Sequence, residues 1–248
     1  MKNIILRSNA VPVYYFLSFI NARLPQGETL RGKRILDCGA GGALPPLALF
    51  HQHGFDTWGI DRSDEQLERA RGFCHQHDME VHLRKGDMRD IPFEDESFDY
   101  VYEHYSMCHL SKVDTQIAVQ EMFRVLKKNG LCFLGVISDD SWPQSMFGEE
   151  REPGEFWGRE GGDELSLHSV FGDDEADGLL SEWEILSKEK RVICHRDEGE
   201  KVSSQEWMGR YYPEAPTKYT REAWEARYSG RANEFRYTHV YYVLGKPA

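Results

Sequence analysis

A glycine-rich turn after the first short apolar run is the most informative stretch of this chain. Asp37 is followed by Cys-Gly-Ala-Gly-Gly, and Asp61 stands 20 residues after Gly41, at the end of the next apolar run. Glycines between a strand and a helix let the backbone approach a ligand closely. A carboxylate after the following strand can accept hydrogen bonds from both hydroxyls of a ribose. Together these residues predict a nucleoside site, although the glycines alone could equally serve only the turn.

A second carboxylate narrows the choice of nucleoside. A nicotinamide dinucleotide fingerprint calls for a third glycine at position 44, where Leu44 stands instead. Asp87 closes the third apolar run, from which it can accept a hydrogen bond from an adenine amino group while the backbone of Met88 meets the ring edge. A second acid suits a diphosphate poorly but is tolerable beside a sulfonium cation. A nicotinamide-dependent reductase is therefore the weaker interpretation.

The elements that must position these residues alternate in type over residues 33–137. The sequence predicts strands at 34–38, 57–61, 80–85, 98–102 and 131–137, and helices at 44–53, 63–77 and 113–127. This alternation predicts an α/β fold with a parallel sheet and helices on both faces. In the helix at 113–127 the expected apolar positions are Ile117, Val119, Met122, Val125 and Leu126.

The pattern changes after Ser138. Residues 139–169 predict a long irregular connection, and loops of that length are often functional lids. Its aromatic residues could wall an acceptor pocket or anchor a lid; they are Trp142, Phe147, Phe156 and Trp157. A short acidic helix is predicted at 173–181 and further strands at 183–193 and 235–244. The aromatic-rich segment 195–232 lies between these two strands.

Four motifs at matching spacings resemble the class I S-adenosylmethionine-dependent methyltransferases, particularly their small-molecule branch (methyltransferase type 11-like). They are ILDCGAGG at 35–42, GIDRS at 59–63, KGDMRDIPFEDESFDYV at 85–101 and EMFRVLKKNGLCFLGV at 121–136. The resemblance implies a Rossmann-like, doubly wound sheet of seven strands, mostly parallel with an antiparallel last strand. Ala43, in place of a common third glycine, and the Pro45-Pro46 pair depart from the family and bear on the shape of the turn.

The resemblance also implies a role for each matching residue, with S-adenosylmethionine as the cofactor. Asp37, Gly39 and Gly41, with Ala40 in the same turn, surround the methionyl part, Asp61 takes the ribose, and Asp87 with Met88 takes the adenine; Glu103 and His104 pass beside the methionyl group. Arg62 could stack beside the adenosine or serve as a solvated salt-bridge partner. Asp37 could instead organise backbone and water.

The implied reaction is an in-line displacement from a sulfonium onto a small organic acceptor. Such an enzyme mainly supplies proximity, alignment and desolvation. A general base is needed only if the acceptor must lose a proton. His109 is the candidate base because the family often has a histidine there, and structural hydrogen bonding is the alternative role. A protein that binds S-adenosylmethionine or S-adenosylhomocysteine without transferring a methyl group is the alternative function.

Composition and charge distribution argue against other classes of site. The net charge is −12, and residues 139–200 hold 19 acidic and 6 basic side chains, so the acidity is local and no basic stripe for nucleic acid or anionic lipid is present. The acidic segment is either solvated surface or lines the entrance of a substrate site, where its charge would disfavour anionic acceptors. Two His-Gln-His triplets, at 51–53 and 75–77, do not suit a metal because residues two apart on a helix do not face each other.

The whole chain is interpreted as a single methyltransferase domain, 1–248. Within it we expect an N-terminal helical lid at 1–32, a cofactor-binding core at 33–137, an acidic lid loop at 138–171 and an aromatic-rich insertion at 195–232. Five cysteines without a C-x-x-C pair favour a reduced, cytoplasmic protein. The short apolar run 11–20 resembles a signal segment only weakly. No membrane or nucleic-acid partner is expected, and a homodimer is left open.

Overall fold

The computed structural model describes residues 7–142, 147–159, 165–196 and 234–248. Its helices are α1 (Arg7–Arg23), α2 (Leu47–Gln52), α3 (Asp64–Gln76), α4 (Lys112–Val125) and α5 (Asp173–Gly178), with a 3₁₀ turn at Met107–His109. Its strands are β1 (Arg34–Cys38), β2 (Asp56–Asp61), β3 (His82–Lys85), β4 (Phe98–His104), β5 (Leu126–Ser138), β6 (Glu149–Glu152), β7 (Glu155–Arg159), β8 (Leu165–Phe171), β9 (Glu184–Arg196) and β10 (Glu234–Gly245).

The main sheet has the order β3-β2-β1-β4-β5-β10-β9. Strands β1 to β5 pair in parallel, whereas β10 is antiparallel to both β5 and β9. This confirms the predicted α/β fold with a mostly parallel sheet and an antiparallel last strand. Because β1, β2 and β4 run in the same direction, the turns after them meet at one edge of the sheet.

The strand count differs from the expected seven because a three-stranded extension joins the sheet. The prediction of an irregular connection over 139–169 is wrong in its described part, where β6, β7 and β8 form an antiparallel ribbon. The end of β8 pairs in parallel with the end of β5 through Ile137 and Ser138. Every residue of β6 is exposed, so this strand lacks the alternation of apolar residues that identifies a strand in sequence. A lid role for 138–171 stays a prediction.

Two hydroxyl side chains begin the long helices of the core, because a side-chain oxygen can accept a hydrogen bond from an unpaired amide of the first helical turn. Ser63 Oγ accepts from the Gln66 amide at 3.3 Å before α3. Ser111 Oγ accepts from the Asp114 amide at 3.1 Å before α4. Both helices therefore begin with a side-chain cap.

Helices cover both faces of the sheet, as the alternation predicted. On one face α1 and α2 bury Phe16 and Phe50 against Tyr102 and Phe133, and Phe73 of α3 packs against the same cluster. On the other face α4 and α5 pack against β4, β5 and β10; the buried residues they contribute are Ala118, Val119, Met122, Val125 and Ala176. The sheet therefore separates two hydrophobic clusters.

The predicted apolar stripe of α4 is partly wrong. Ile117 is 40% exposed, whereas Thr115 and Ala118 are fully buried. The buried positions Thr115, Ala118, Val119, Met122 and Val125 follow the three-and-four spacing of one helix face, and Ile117 lies off that face. Size and apolarity suggested Ile117, but the orientation of the helix decided which residues are buried.

The N-terminal helix packs on the sheet face. Val13, Phe16, Leu17 and Ile20 of α1 are buried. The predicted lid over 1–32 includes residues 1–6, which lie outside the described residues, and its lid role stays a prediction.

Most of the predicted insertion 195–232 also lies outside the described residues. At its edge, Arg196 pairs with Glu234 in the β9–β10 ladder. Within the described ranges, no helix combines enough length and apolarity to cross a bilayer.

Candidate functional site

The glycine turn after β1 is held against the next strand by backbone hydrogen bonds. The amides of Gly39 and Ala40 both donate to the Ile60 carbonyl, at 2.8 and 2.9 Å. Gly39 has φ +90°, a conformation that L side chains rarely adopt, and a Cβ there would overlap the side chain of Ser106. The turn therefore needs glycine at this position both for its backbone angle and for the close approach of the segment after β4.

Asp61 ends β2 and faces this turn. Its Oδ2 accepts from the Gly41 amide at 3.0 Å, and its Oδ1 accepts from the Ser63 amide at 2.8 Å. Each carboxylate oxygen can accept more than one hydrogen bond, so both can still meet a ligand hydroxyl. A Cβ on Gly41 would overlap Asp61 and lie 2.6 Å from Gln66 Cβ. The structure thus brings together the two residues whose spacing suggested a nucleoside site.

Asp37 is buried at the end of β1. Its side chain accepts a hydrogen bond from the Leu47 amide at 3.1 Å, at the start of α2. Burial raises the pKa of this carboxyl to about 8, opposed by the Leu47 hydrogen bond and assisted by the nearby charges of Glu103 and Asp61. The Leu47 contact supports the predicted organising role, and it leaves Asp37 in electrostatic contact with two further carboxyls.

Glu103 is fully buried near the end of β4, opposite Cys38 in the sheet register. Its Oε1 accepts from the amides of Ser106 and Met107, at 2.9 and 2.7 Å. Its Oε2 is buried and has no hydrogen-bond partner among the described residues. Burial raises the pKa of Glu103 to about 7. A carboxyl oxygen with an unused lone pair therefore lies at the edge of the sheet where the glycine turn lies.

The carboxylate of Asp87 is engaged by arginine. Arg89 donates to it from its backbone and from its guanidinium, with Nη2 2.6 Å from Oδ2, and also reaches Asp114 at 2.9 Å. Arg62 lies on the rim, its Nε 3.8 Å from Asp87 Oδ2. The hydrogen bond from Arg89 is the main cause that lowers the pKa of Asp87. The salt-bridge role of Arg62 is therefore realised, and half-buried Met88 lies next to this network.

His109 lies in the 3₁₀ turn after β4 and is tied to β8. Its Nδ1 is 2.9 Å from the Leu167 carbonyl oxygen. A carbonyl can only accept, so Nδ1 carries a proton in this contact. This contact supports the structural alternative for His109, and its role as a general base stays a prediction.

Sequence reasoning missed the aromatic groups that β10 brings to the end of β4. The ring of His239 stacks on that of His104 with centroids 5.3 Å apart, and Tyr237 stacks on His239 at the same separation. The hydroxyls of Tyr105 and Tyr237 are hydrogen-bonded to each other. No local motif marks His239 or Tyr237, because the register of β10 on β5 alone brings them here.

The aromatic residues after β5 divide between core and surface. Phe147 and Phe156 are buried in a small cluster with Cys108, Ile137 and Val170. Trp157 is half-buried and has the guanidinium of Arg151 over its ring at 5.3 Å. The predicted pocket wall is therefore packed as core at Phe147 and Phe156, which leaves a lid or pocket role for Trp157 a prediction.

Lysines from β9 compensate part of the acidic segment. Lys190 Nζ lies 2.6 Å from Asp140 and 3.1 Å from Asp173, and Lys188 Nζ lies 2.7 Å from Asp177. Exposed pairs of this kind add little stability. They favour the interpretation of this acidity as ordinary surface charge. Among the described residues no group of three histidine, cysteine or acidic side chains could hold a metal ion.

Comparison with known proteins gives the same assignment for the core. Residues 36–134 match the family model described as a methyltransferase domain. The chain is 37% identical to an uncharacterized methyltransferase, YcgJ, of Bacillus subtilis over 98 residues. The alignment covers 39% of this chain and 38% of that protein. Over 190 residues the chain is 27% identical to a sterol 24-C-methyltransferase of Pneumocystis carinii, which covers 74% of this chain and 47% of that protein.

The likeness of fold extends over nearly the whole chain. A putative methyltransferase from Bacillus halodurans of known structure superposes with a TM-score of 0.67 at 17% identity, covering 95% of this chain and 99% of the other. The chain spans less than half the length of the two curated relatives above. The family model covers the core that contains Asp37, Asp61, Asp87 and Glu103.

Proposed function

We propose that this chain, whose residues 36–134 match the methyltransferase domain family, is a class I S-adenosylmethionine-dependent methyltransferase that transfers a methyl group to a small organic acceptor. One observation carries the proposal. The Asp61 carboxylate is hydrogen-bonded to the Gly41 amide, while the buried carboxyls of Asp37 and Glu103 lie within electrostatic reach of each other at the same edge. The core sequence and this arrangement support the same cofactor.

The residues present fit a cationic nucleoside. Asp61 keeps acceptor capacity for ribose hydroxyls, and Asp37 and Glu103 give the turn a negative character that a positively charged ligand would offset. Buried carboxyls without a counter-charge are costly, so a neighbouring cation favours their ionised forms. S-adenosylmethionine supplies such a cation and an activated methyl group when bound. Asp87 would meet the adenine from its Arg89 network, and Met88 would lie beside it.

The chain's own contribution to the reaction is alignment and exclusion of water. The glycine turn and Asp61 would fix the ribose, which sets the position of the methyl group relative to the end of β4. Glu103 holds the amides of Ser106 and Met107, so it shapes the segment between the donor site and the 3₁₀ turn. His109 would act as a base only for an acceptor that must lose a proton.

The acceptor is proposed only as a small organic molecule. The Pneumocystis relative is named for its action on sterols, and its likeness to this chain is 27% over part of each protein. We place the acceptor beside the aromatic residues of β4 and β10 and the β6–β8 extension; β10 and β6–β8 lie outside the residues that the family model matches. The competing function is binding of the methyl donor without methyl transfer.

Donor binding tests the site directly. We expect the unmodified protein to bind S-adenosylmethionine in isothermal titration calorimetry, and Asp61→Asn to weaken binding by about tenfold or more because charge-assisted hydrogen bonds are lost. Asp64→Asn, at an exposed carboxylate three positions along the chain, is the matched control and should bind normally. Normal donor binding by Asp61→Asn would refute the assignment of the ribose site.

Methyl transfer requires a second measurement. With a panel of hydroxyl, amine, thiol and carbon acceptors, an enzyme releases S-adenosylhomocysteine, which mass spectrometry detects. Donor binding without product across the panel would favour the binding protein. Failure of the protein to bind S-adenosylmethionine would refute both hypotheses, methyl transfer and donor binding without transfer.

A further inference from the structure

Two histidine rings stack where β4 ends beside β10. His104 is the last residue of β4 and lies opposite Gly135 of β5, while His239 of β10 lies opposite Ile137 of the same strand. Their ring centroids are 5.3 Å apart and the ring planes differ by 28°. A Cβ on Gly135 would lie 2.8 Å from His104 Cδ2, so the absence of a side chain there makes room for the ring. The stacked histidine pair is therefore positioned by three strands, β4, β5 and β10.

Within the part of the chain that the structure describes, three ring nitrogens of this pair have no hydrogen-bond partner. They are both ring nitrogens of His104 and Nδ1 of His239, and all three are buried. More than nine in ten buried polar groups in proteins are hydrogen-bonded, because leaving one unpaired costs its hydration. Three unpaired nitrogens on adjacent rings are therefore unusual. They point to a ligand that completes their hydrogen bonds.

The surroundings hold the pair uncharged. Burial lowers the pKa of His104 to about 3, assisted by His239, and burial lowers the pKa of His239 to about 4. The neighbouring rings are those of Tyr105, Phe133, Tyr237 and Tyr241. A neutral imidazole offers one N–H donor and one acceptor nitrogen. Neutral His104 can therefore donate one hydrogen bond and accept one, and aromatic rings surround it.

This pattern selects one chemical class of ligand. A hydroxyl group both donates and accepts, so it can satisfy a donor and an acceptor nitrogen at once. An anion or an ammonium group bound here would need a counter-charge at the rings, because burying a charge alone is unfavourable. The aromatic rings favour an apolar or aromatic body behind the hydroxyl.

We propose that His104 and His239 form the subsite that binds a neutral hydroxyl group of the methyl acceptor. The inference rests on the proposed function, since it places an acceptor at the edge of the sheet that carries Asp37, Asp61 and Glu103. His104 follows Glu103 at the end of β4, so the subsite lies at that same edge of the sheet. His239 is a specificity-determining residue contributed by β10.

Four small aromatic probes test the subsite in protein labelled with ¹⁵N at histidine and saturated with S-adenosylmethionine. They are phenol, anisole, benzoate and benzylammonium, which share a ring and differ in the polar group. We expect phenol to shift the imidazole ¹⁵N signals of His104 and His239, which are assigned from His104→Phe and His239→Phe. Anisole, benzoate and benzylammonium should leave these signals in place.

The variants supply the second readout. His239→Phe keeps a ring but removes the nitrogens, so phenol binding should weaken about three- to tenfold while the melting temperature does not fall. His75→Phe, at an exposed histidine of α3, is the matched control and should bind phenol normally. Unshifted His104 and His239 signals with phenol, equal shifts with a charged probe, or unchanged phenol binding by His239→Phe would each overturn the proposal. Loss of donor binding in the unmodified protein would instead refute the proposed function.

Discussion

The Gly41 amide donates a hydrogen bond to Asp61 Oδ2 at 3.0 Å, which links the turn after β1 to the end of β2. The next glycine, Gly42, donates to the Gln66 carbonyl at 3.0 Å and so ties the turn to α3. The carboxylate that would meet the ribose is therefore positioned by the glycine turn itself. A change in the turn must change the position of the carboxylate.

Gly41→Ala should weaken S-adenosylmethionine binding by about tenfold or more, because the added Cβ would displace Asp61 and Gln66 and disturb a hydrogen bond to a charged group. Titration calorimetry measures the effect. The control is Gly72→Ala in α3, where an added Cβ meets nothing within 4 Å. That variant should gain about 0.5–1 kcal/mol of stability through better helix propensity and bind the donor normally. Normal binding by Gly41→Ala would contradict the geometry.

The stability of the protein without ligand should fall as the pH rises from about 5 to about 8. The pKa of Asp37 is raised to about 8 and that of Glu103 to about 7, so in this range the folded state binds more protons than the unfolded state. Urea unfolding at several pH values gives the slope. Asp37→Asn should flatten it and be more stable than the unmodified protein at the alkaline end.

The exposed Asp64 provides the control for this experiment, since Asp64→Asn should leave the slope unaltered. An unchanged slope in Asp37→Asn would show that Asp37 titrates normally in the folded protein.

His109→Ala should lower the free energy of unfolding by about 0.5–1.5 kcal/mol, because the hydrogen bond to the Leu167 carbonyl is lost. Urea unfolding measures this loss, and the exposed His75 offers a control substitution, His75→Ala. Turnover at saturating donor separates the two roles. A fall in kcat of about a hundredfold or more would establish His109 as the general base.

Lys246→Met should cost about 1.5–3 kcal/mol of stability, since Lys246 Nζ donates to the carbonyls of Phe123 and Leu126 at 2.9 and 2.8 Å, at the end of α4. These carbonyls have no partner within the helix, and a cation near them is favourable. Thermal and urea unfolding measure the change. Lys128→Met, at an exposed lysine nearby, should have little effect. Equal stabilities of the two variants would show that the contact is energetically neutral.

The arrangement that we propose for the donor side could be predicted from sequence because its residues are close together in the chain. The residues of β1, its turn and β2 lie within about thirty positions of one another, and parallel strands bring their ends to one edge. The prediction for β1 matches the structure residue for residue at Arg34–Cys38. Glycine positions and strand ends are properties of a short segment, so no long-range contact had to be known.

The His104–His239 pair, which we propose as the acceptor side, could not be predicted because it depends on strand pairing between residues far apart in the chain. His104 meets His239 only because β10 runs antiparallel along β5 in one register. The β6–β8 ribbon was missed for a different reason, since the polar sequence of Glu149–Glu152 has no apolar alternation. In α4, Ile117 was misplaced because the helix rotates it away from the sheet.

The position of β10 between β5 and β9 also constrains the order in which the protein can fold. Strand β9 pairs only with β10 among the described strands, although it precedes β10 in the chain. Until β10 pairs with β5, β9 has no route into the sheet and leaves its backbone edge unpaired, with Ile185, Val192 and Ile193 at the surface. The two strands must therefore add together as a hairpin or in the order β10 then β9. Such distant pairings form slowly, so we expect closure of this side of the sheet to be a slow step of folding, during which the unpaired edge is exposed to aggregation.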